Sequence, residues 1–348
     1  MAQANTGESA EAQQAPSSHE SGWIDSDGEG AVGEASQDHV ASTIKVADPL
    51  SDRQVSHDHI LAKFGVDMVA QARLGKLDPV VGREGEIKRA LQILSRRTKN
   101  NVCLIGEPGV GKTALVEAIA QRIAEGRIPE QLRYCRELWS LDMGALLAGT
   151  GLRGDFEERL RDVLAEVRAA KGAILLFIDE LHLVLGAGRS ESNNVDAANL
   201  MKPMLARGEI HCIGATTTRE YQQLILAKDA AFERRFQPLE LREPSLDVAV
   251  EMLAALAPSY ASHHEVAISS EVIQSAVHLS VRSIVGRSLP DKAIDVLDEA
   301  CCFATARGHK EVTEAHVEAV LKQWRAPLWQ KKPANRLVEW VKQSWSRL

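Results

Sequence analysis

Eight consecutive residues, Gly106-Glu107-Pro108-Gly109-Val110-Gly111-Lys112-Thr113, constrain this chain more than any other feature. The glycines let the backbone curl so that successive N–H groups point inward, where a Cβ would stand in the way. A branched apolar run (Val102, Leu104, Ile105) leads into the segment and predicts a buried strand, and a helical pattern over 114–124 follows it. Strand, glycine-rich loop and helix in that order is the setting in which such a loop cradles phosphate, because the amino end of the helix adds partial positive charge. There Lys112 supplies a point charge to the β- and γ-phosphate oxygens, and Thr113 supplies a hydroxyl to Mg²⁺. The bland alternative is a glycine-rich turn between a strand and a helix.

Downstream residues supply the rest of such a site. Ala173-Ile174-Leu175-Leu176-Phe177-Ile178 is an apolar run too short to span a membrane, and it ends in Asp179-Glu180. A run of that length fits a central strand of a parallel sheet buried on both faces. Carboxylates at the carboxyl end of such a strand lie where open α/β sheets bind ligands, so Asp179 is expected in the Mg²⁺ shell and Glu180 beside an attacking water. A third apolar run, 210–215, ends in Thr216-Thr217-Thr218. A hydroxyl there can orient that water, although Thr also favours strand ends and turns on its own account. Farther on, Phe232-Glu233-Arg234-Arg235-Phe236 sets two guanidinium groups between aromatic rings. An arginine against a transferring phosphoryl group is worth about 10³ to 10⁵ in rate; a surface salt-bridging patch is the ordinary alternative. Together these elements predict an ATPase.

The order and wording of the motifs resemble the AAA+ ATPases of the Clp/ClpB family, and above all the first nucleotide-binding domain of ClpB-type (HSP100) disaggregases. Leu77-Asp78-Pro79-Val80-Val81-Gly82-Arg83 resembles the segment that packs on adenine there, which implies nucleotide contact at Val80 and Val81. Gly106 to Thr113 is similar to the phosphate loop, 177–182 to the strand that serves Mg²⁺ and water, 214–217 to the sensor strand and 232–236 to the finger segment. Leu289-Pro290-Asp291-Lys292-Ala293-Ile294-Asp295 is similar to the helical lid. The similarity runs from about His59 to about Thr305, about seven-tenths of the chain. It implies an α/β P-loop core, a parallel sheet with helices on both faces, followed by a small all-helical lid. It further implies ATP and Mg²⁺ as ligands, Mg²⁺ at Thr113 and Asp179, water activation by Glu180 and a sensor hydroxyl at Thr217. Arg234 and Arg235 then reach the ATP of a neighbouring subunit. The resemblance thus implies a ring, normally a hexamer, of this chain alone or mixed with a longer Clp relative, acting on protein substrates. Where the family carries an aromatic pore loop, Lys-Tyr-Arg-Gly, this chain reads Gly151-Leu152-Arg153-Gly154. Leu152 keeps an apolar surface there without the flat gripping face of an aromatic ring.

The chain of 348 residues can hold about two domains. Its first 40 residues contain eight acids and no Lys or Arg, a composition that predicts a disordered acidic tail over 1–56 and argues against an organellar transit peptide. An α/β nucleotide-binding domain is expected over 57–243, with helices at 84–97 and 156–170. Beyond Pro244 the spacing predicts only helices, at 246–256, 270–279, 290–305 and 314–324, as a lid over 244–325. The net charge of −7 resides in the tail, so the rest is near neutral and lacks the basic stripe of a nucleic-acid binder. No apolar run reaches the length of a membrane span. The five cysteines form no Cys-x-x-Cys, and all read as reduced, small apolar residues of an intracellular, cytoplasmic protein. His182 and the His263-His264 pair read as packing or surface residues.

Residues 326–348 form a Trp-rich amphipathic segment that could fold back on the lid, dock a partner or lie on a membrane surface. A complete two-ring disaggregase is not expected, because the lid runs through Arg307-Gly308-His309 straight into a short helix and no second phosphate loop follows. Two functional classes remain: a substrate-remodelling ATPase, and a regulatory subunit that uses ATP mainly for assembly.

Overall fold

The computed structural model describes residues 60–148, 153–186, 197–227 and 229–325. The expected tail, the pore-loop residues Gly151 and Leu152, the Arg153 side chain and the Trp-rich segment 326–348 lie outside the residues and side chains described. All described residues fall in one unit, Val55–Leu348.

Six strands form one sheet: β1 (Gly65–Asp67), β2 (Asn101–Ile105), β3 (Glu137–Leu141), β4 (Ile174–Ile178), β5 (His211–Thr216) and β6 (Phe236–Glu240). Their order is β1-β3-β4-β5-β2-β6, so the phosphate-loop strand β2 is flanked by β5 and β6. Every neighbouring pair is parallel except β1–β3, and the sheet expected to be parallel is therefore mixed at one edge. The exception is local: Gly65–Asp67 opens directly into the helix Met68–Arg73, whose amino end Asp67 caps by accepting from Val69 N.

The continuous apolar runs of the central strands have a simple cause. In β4, Ile174, Leu176 and Ile178 enter one core while Leu175 and Phe177 enter the other; in β2, Cys103 and Ile105 oppose Val102 and Leu104. Side chains alternate with period two, and both faces are covered, so the interior positions are apolar and the buried Asn101 at the start of β2 is paired through its amide. One face packs on the helices Arg153–Ala169 and Ala197–Arg207, and the other on Glu84–Leu94 and Lys112–Ala124. Burial pushes the Cys103 and Cys212 thiols well above the ordinary thiol range, consistent with inert core residues.

Beyond β6 the chain turns helical at Ser245, whose hydroxyl accepts from Val248 N. Four helices, Leu246–His264, Ser270–Ser283, Asp291–Thr305 and Glu314–Arg325, close a separate core around Leu253, Val277, Val296, Leu297 and Val320. The first helix was expected to stop at 256, yet it runs through Pro258 to His264. Packing of Leu253 and Ala257 against the lid core outweighs the local cost of the proline. No helix of the described residues is long and apolar enough to cross a membrane.

Gly214 in β5 shows how tightly the strand ends are fitted. A Cβ there would lie 2.4 Å from Leu181 Cδ2, and Leu181 is fully buried. Gly214→Ala is therefore expected to destabilise the protein by about 1–3 kcal/mol through overpacking, read from the urea midpoint. An unchanged midpoint would mean that Leu181 has room to move.

Candidate active site

The carboxyl ends of β2, β5 and β4 lie side by side, and each delivers one part of the site. From β2 the chain enters the glycine loop. Gly109 and Gly111 hold φ of 83° and 92°, the left-handed region that side chains other than glycine rarely adopt. The loop then feeds directly into the helix Lys112–Ala124, whose first N–H groups have no intrahelical acceptor. Lys112 Nζ lies over the loop and donates to the Gly106 carbonyl at 2.9 Å and the Glu107 carbonyl at 3.1 Å. Burial lowers its pKa, while Asp179, Glu180, Glu107 and Glu220 pull the other way.

From β4 come Asp179 and Glu180. Asp179 Oδ2 lies 3.4 Å from Thr113 Oγ1, which joins the phosphate loop to the acidic pair. Asp179 Oδ1 accepts from Glu180 N at 2.9 Å. Glu180 itself has a φ of 54°, a strained conformation for a glutamate and one that concentrates at functional sites. Leu181 N then donates to the Ala215 carbonyl at 2.8 Å, fastening this turn to the end of β5.

From β5 comes the threonine turn. Thr217 caps the short helix that follows: its hydroxyl accepts from Glu220 N at 3.2 Å and donates to Glu220 Oε2 at 2.7 Å. Glu220 is also approached by His182 Nδ1 at 3.2 Å, while His182 Nε2 lies 3.3 Å from Glu180 Oε2. The ring, only 12% exposed, thus stands between the two carboxylates. Burial raises the Glu220 pKa, but the Thr217 hydroxyl and N–H, the His182 ring and Thr216 outweigh it, and the net shift is downward. His182, read from sequence as a packing or surface residue, instead links the Thr217 turn to Glu180. Nothing local in the sequence signals this, since the link joins residues about forty positions apart.

The remaining expected residues divide into two groups. Val80 and Val81 line a cleft of about 500 Å³ together with the phosphate loop, Asp179, Glu180 and the lid residues Tyr260 and Ile294. Arg234 and Arg235 do not line it; both are exposed. Their turn is anchored by the buried rings of Phe232 and Phe236, 5.0 Å apart, and by Asn101 Nδ2, which donates to the Arg235 carbonyl.

Two further residues tie the cleft together. Asp291 of the lid donates its N–H to the Gly109 carbonyl at 3.4 Å, and a Cβ on Gly109 would lie 2.6 Å from Asp291 Cβ. Arg83, 6% exposed, donates through Nη2 to the carbonyls of Val110 and Arg242, at 2.9 and 2.8 Å, and through Nη1 to Glu86. Its Nε is buried without a hydrogen-bond partner.

The family model described as "ATPase family associated with various cellular activities (AAA)" matches residues 102–238, and an AAA lid domain model matches 245–342. The chain is 54% identical over 261 residues to heat shock protein hsp98 of Neurospora crassa, covering 75% of this chain and 28% of that protein. It is equally similar, 54% over 261 residues, to the chaperone protein ClpB of Rhodopirellula baltica, covering 75% and 29%. A solved structure of Hsp104 with ATPγS and FITC-casein superposes with a TM-score of 0.71 at 42% identity, over 81% of this chain and 48% of that one. The chain thus spans less than a third of the length of these curated relatives.

Arg83 gives a test that needs no ligand. Replacing it with Met removes the charged donor shared by two backbone carbonyls, and a loss of about 3 kcal/mol is expected in chemical denaturation. A loss below about 1 kcal/mol would show that water satisfies those carbonyls.

Proposed function

The chain belongs to the ClpB/Hsp104-like branch of the AAA family of ATPases, and on that footing we propose that it binds ATP with Mg²⁺ between core and lid and hydrolyses it. The observation that carries this reading is the convergence of Lys112, Thr113, Asp179 and Glu180 on one cleft. Thr113 Oγ1 and Asp179 Oδ2, 3.4 Å apart, are hard oxygen donors of the kind that would hold Mg²⁺. When bound, Mg²⁺ neutralises charge on the β- and γ-phosphate oxygens.

The protein's own groups do the rest. The loop N–H groups and the amino end of the helix Lys112–Ala124 hold the phosphates. Lys112 exchanges its carbonyl contacts at Gly106 and Glu107 for phosphate oxygens. Val80, Val81 and Ile294 supply an apolar seat for the base. Glu180 orients the attacking water and takes its proton, and His182 fixes the position of the Glu180 carboxylate relative to the Thr217 turn through Glu220.

Arg234 and Arg235 complete the site of a neighbouring copy. Their exposure on a rigidly anchored turn, away from the cleft of their own chain, supports this assignment. The reading therefore requires a ring, and we propose a homomeric one that remodels protein substrates in the cytosol. Hsp104 has been solved with both a nucleotide and casein; the same pairing of ATP with a polypeptide is what we assign to this chain. A mixed ring with a longer Clp relative uses the same contacts, and no specific observation favours it.

Steady-state ATP hydrolysis at concentrations that permit assembly tests the proposal. Glu180→Gln is expected to lower turnover by about 10²–10⁴ while nucleotide binding persists. Arg234→Ala is expected to lower it by about 10³ or more. Mixing inactive Arg234→Ala with inactive Lys112→Ala should restore activity, because each Lys112→Ala protomer still offers its arginines to an intact neighbouring site. Wild-type turnover no higher than that of Glu180→Gln would defeat the ATPase reading. A mixture as inactive as its components would defeat the assignment of the arginines across a subunit boundary.

A further inference from the structure

A second cluster of reactive side chains lies on the lid, outside the nucleotide cleft. His264 ends the first lid helix, and Asp298 and Cys302 stand one turn apart on one face of the third. His264 Nε2 is 2.6 Å from Asp298 Oδ1, and its Nδ1 faces Cys302 Sγ at 3.9 Å. Ligand atoms of all three residues lie within 4.8 Å of one another. The imidazole is well held: it is 11% exposed, the His263 ring packs against it edge-on at 4.7 Å, and the His264 carbonyl accepts from Thr305 Oγ1. The sequence reading took these histidines as packing or surface residues and the cysteines as small apolar ones, but Cys302 is exposed.

A Cys-His-Asp row resembles the machinery of a nucleophilic enzyme. The Cys302 thiol is unsuited to that work, because burial, then Asp298 and Glu299, raise its pKa instead of lowering it. Metal ligation fits better. With its Nε2–H given to Asp298, His264 presents the bare Nδ1 lone pair to the sulfur, the arrangement in which a carboxylate fixes the tautomer of a ligating histidine. A tetrahedral Zn²⁺, with bonds of about 2.0 Å to nitrogen and 2.3 Å to sulfur, sets those two atoms about 3.5 Å apart. The observed 3.9 Å is within a small side-chain rotation of that value. Thiolate and imidazole favour a borderline-soft ion over the hard Mg²⁺ of the nucleotide cleft.

We infer that His264 Nδ1 and Cys302 Sγ bind zinc on the lid, with Asp298 holding the imidazole in place from behind and water completing the coordination. Binding replaces the Cys302 S–H bond with a sulfur–zinc bond and releases one proton to solvent; nothing is oxidised or reduced. Affinity should therefore rise with pH. The site joins the first and third lid helices, which also present Tyr260 and Ile294 to the nucleotide cleft. An occupied site clamps those two helices together.

Titration of the full, chelator-treated chain with Co²⁺, followed by Zn²⁺ displacement, tests this directly. A thiolate-to-cobalt charge-transfer band is expected, saturating at one ion and abolished by Zn²⁺. Zn²⁺ should also raise the Tm of the wild-type chain. Cys302→Ser should lose the band while keeping the metal-free Tm, because Cys302 is exposed. Asp298→Asn should bind about 10- to 100-fold more weakly. No thiolate band in the wild type, or an undiminished band in Cys302→Ser, overturns the assignment. If Cys302→Ser folds poorly, full affinity in Asp298→Asn overturns it equally.

Discussion

The guanidinium of Arg83 is the contact on which the nucleotide cleft depends. It reaches the Val110 carbonyl inside the phosphate loop and the Arg242 carbonyl just beyond β6, where the chain leaves the sheet for the lid. One buried cation thus fixes the curl of the loop and the departure point of the helical region. Glu243, the next residue, continues the connection by accepting from Leu289 N at 2.7 Å and pairing with Lys292 at 3.2 Å. The lid is thereby held by charged contacts on one short connector and by the approach of Asp291 to Gly109. Loop, sheet edge and lid behave as one mechanical set, and a change at any of the three is felt at the phosphates.

Electrostatics explains why the acidic side of the site holds its shape. Glu180 and Glu220 would repel across the end of the sheet. His182 stands between them, and the Thr216 hydroxyl and the Thr217 hydroxyl and N–H also hold Glu220. A threonine expected to act on water is therefore engaged first in the capping box of its own turn. Its contact with Glu180 runs through Glu220 and His182, so the sensor we propose is a property of four side chains in place of one.

The elements read most clearly from sequence were those buried on both faces. β2, β4 and β5 stand out as apolar runs because all their positions but His211, at the start of β5, are buried. The other strands were missed for identifiable reasons. β6 reads Phe-Gln-Pro-Leu-Glu, and its Pro238, lacking an N–H, is tolerated only because β6 pairs on one side. β3 carries Glu137 and Ser140 among its apolar residues, and β1 is three residues long. At the site, the loop and the acidic pair were legible because their chemistry is contiguous in the chain. Arg83, Glu220 and Asp291 had no role at the site assigned from sequence, and His182 was read as a packing or surface residue, since each acts through a partner distant in sequence. The lid cluster was hidden in the same way, with His264 separated from Cys302 by 38 positions.

Glu180 adopts a backbone conformation that glycine or asparagine would occupy with less strain. The His182 contact is the one gain the folded state draws from a long acidic side chain at that turn, and on the proposed reading the strain is a cost in stability borne for chemistry. A lineage released from the need to split nucleotide would drift at this position toward the smaller residues and grow sturdier as it did so. On the proposed function, the identity of residue 180 in any descendant of this chain therefore records whether selection still acts on hydrolysis.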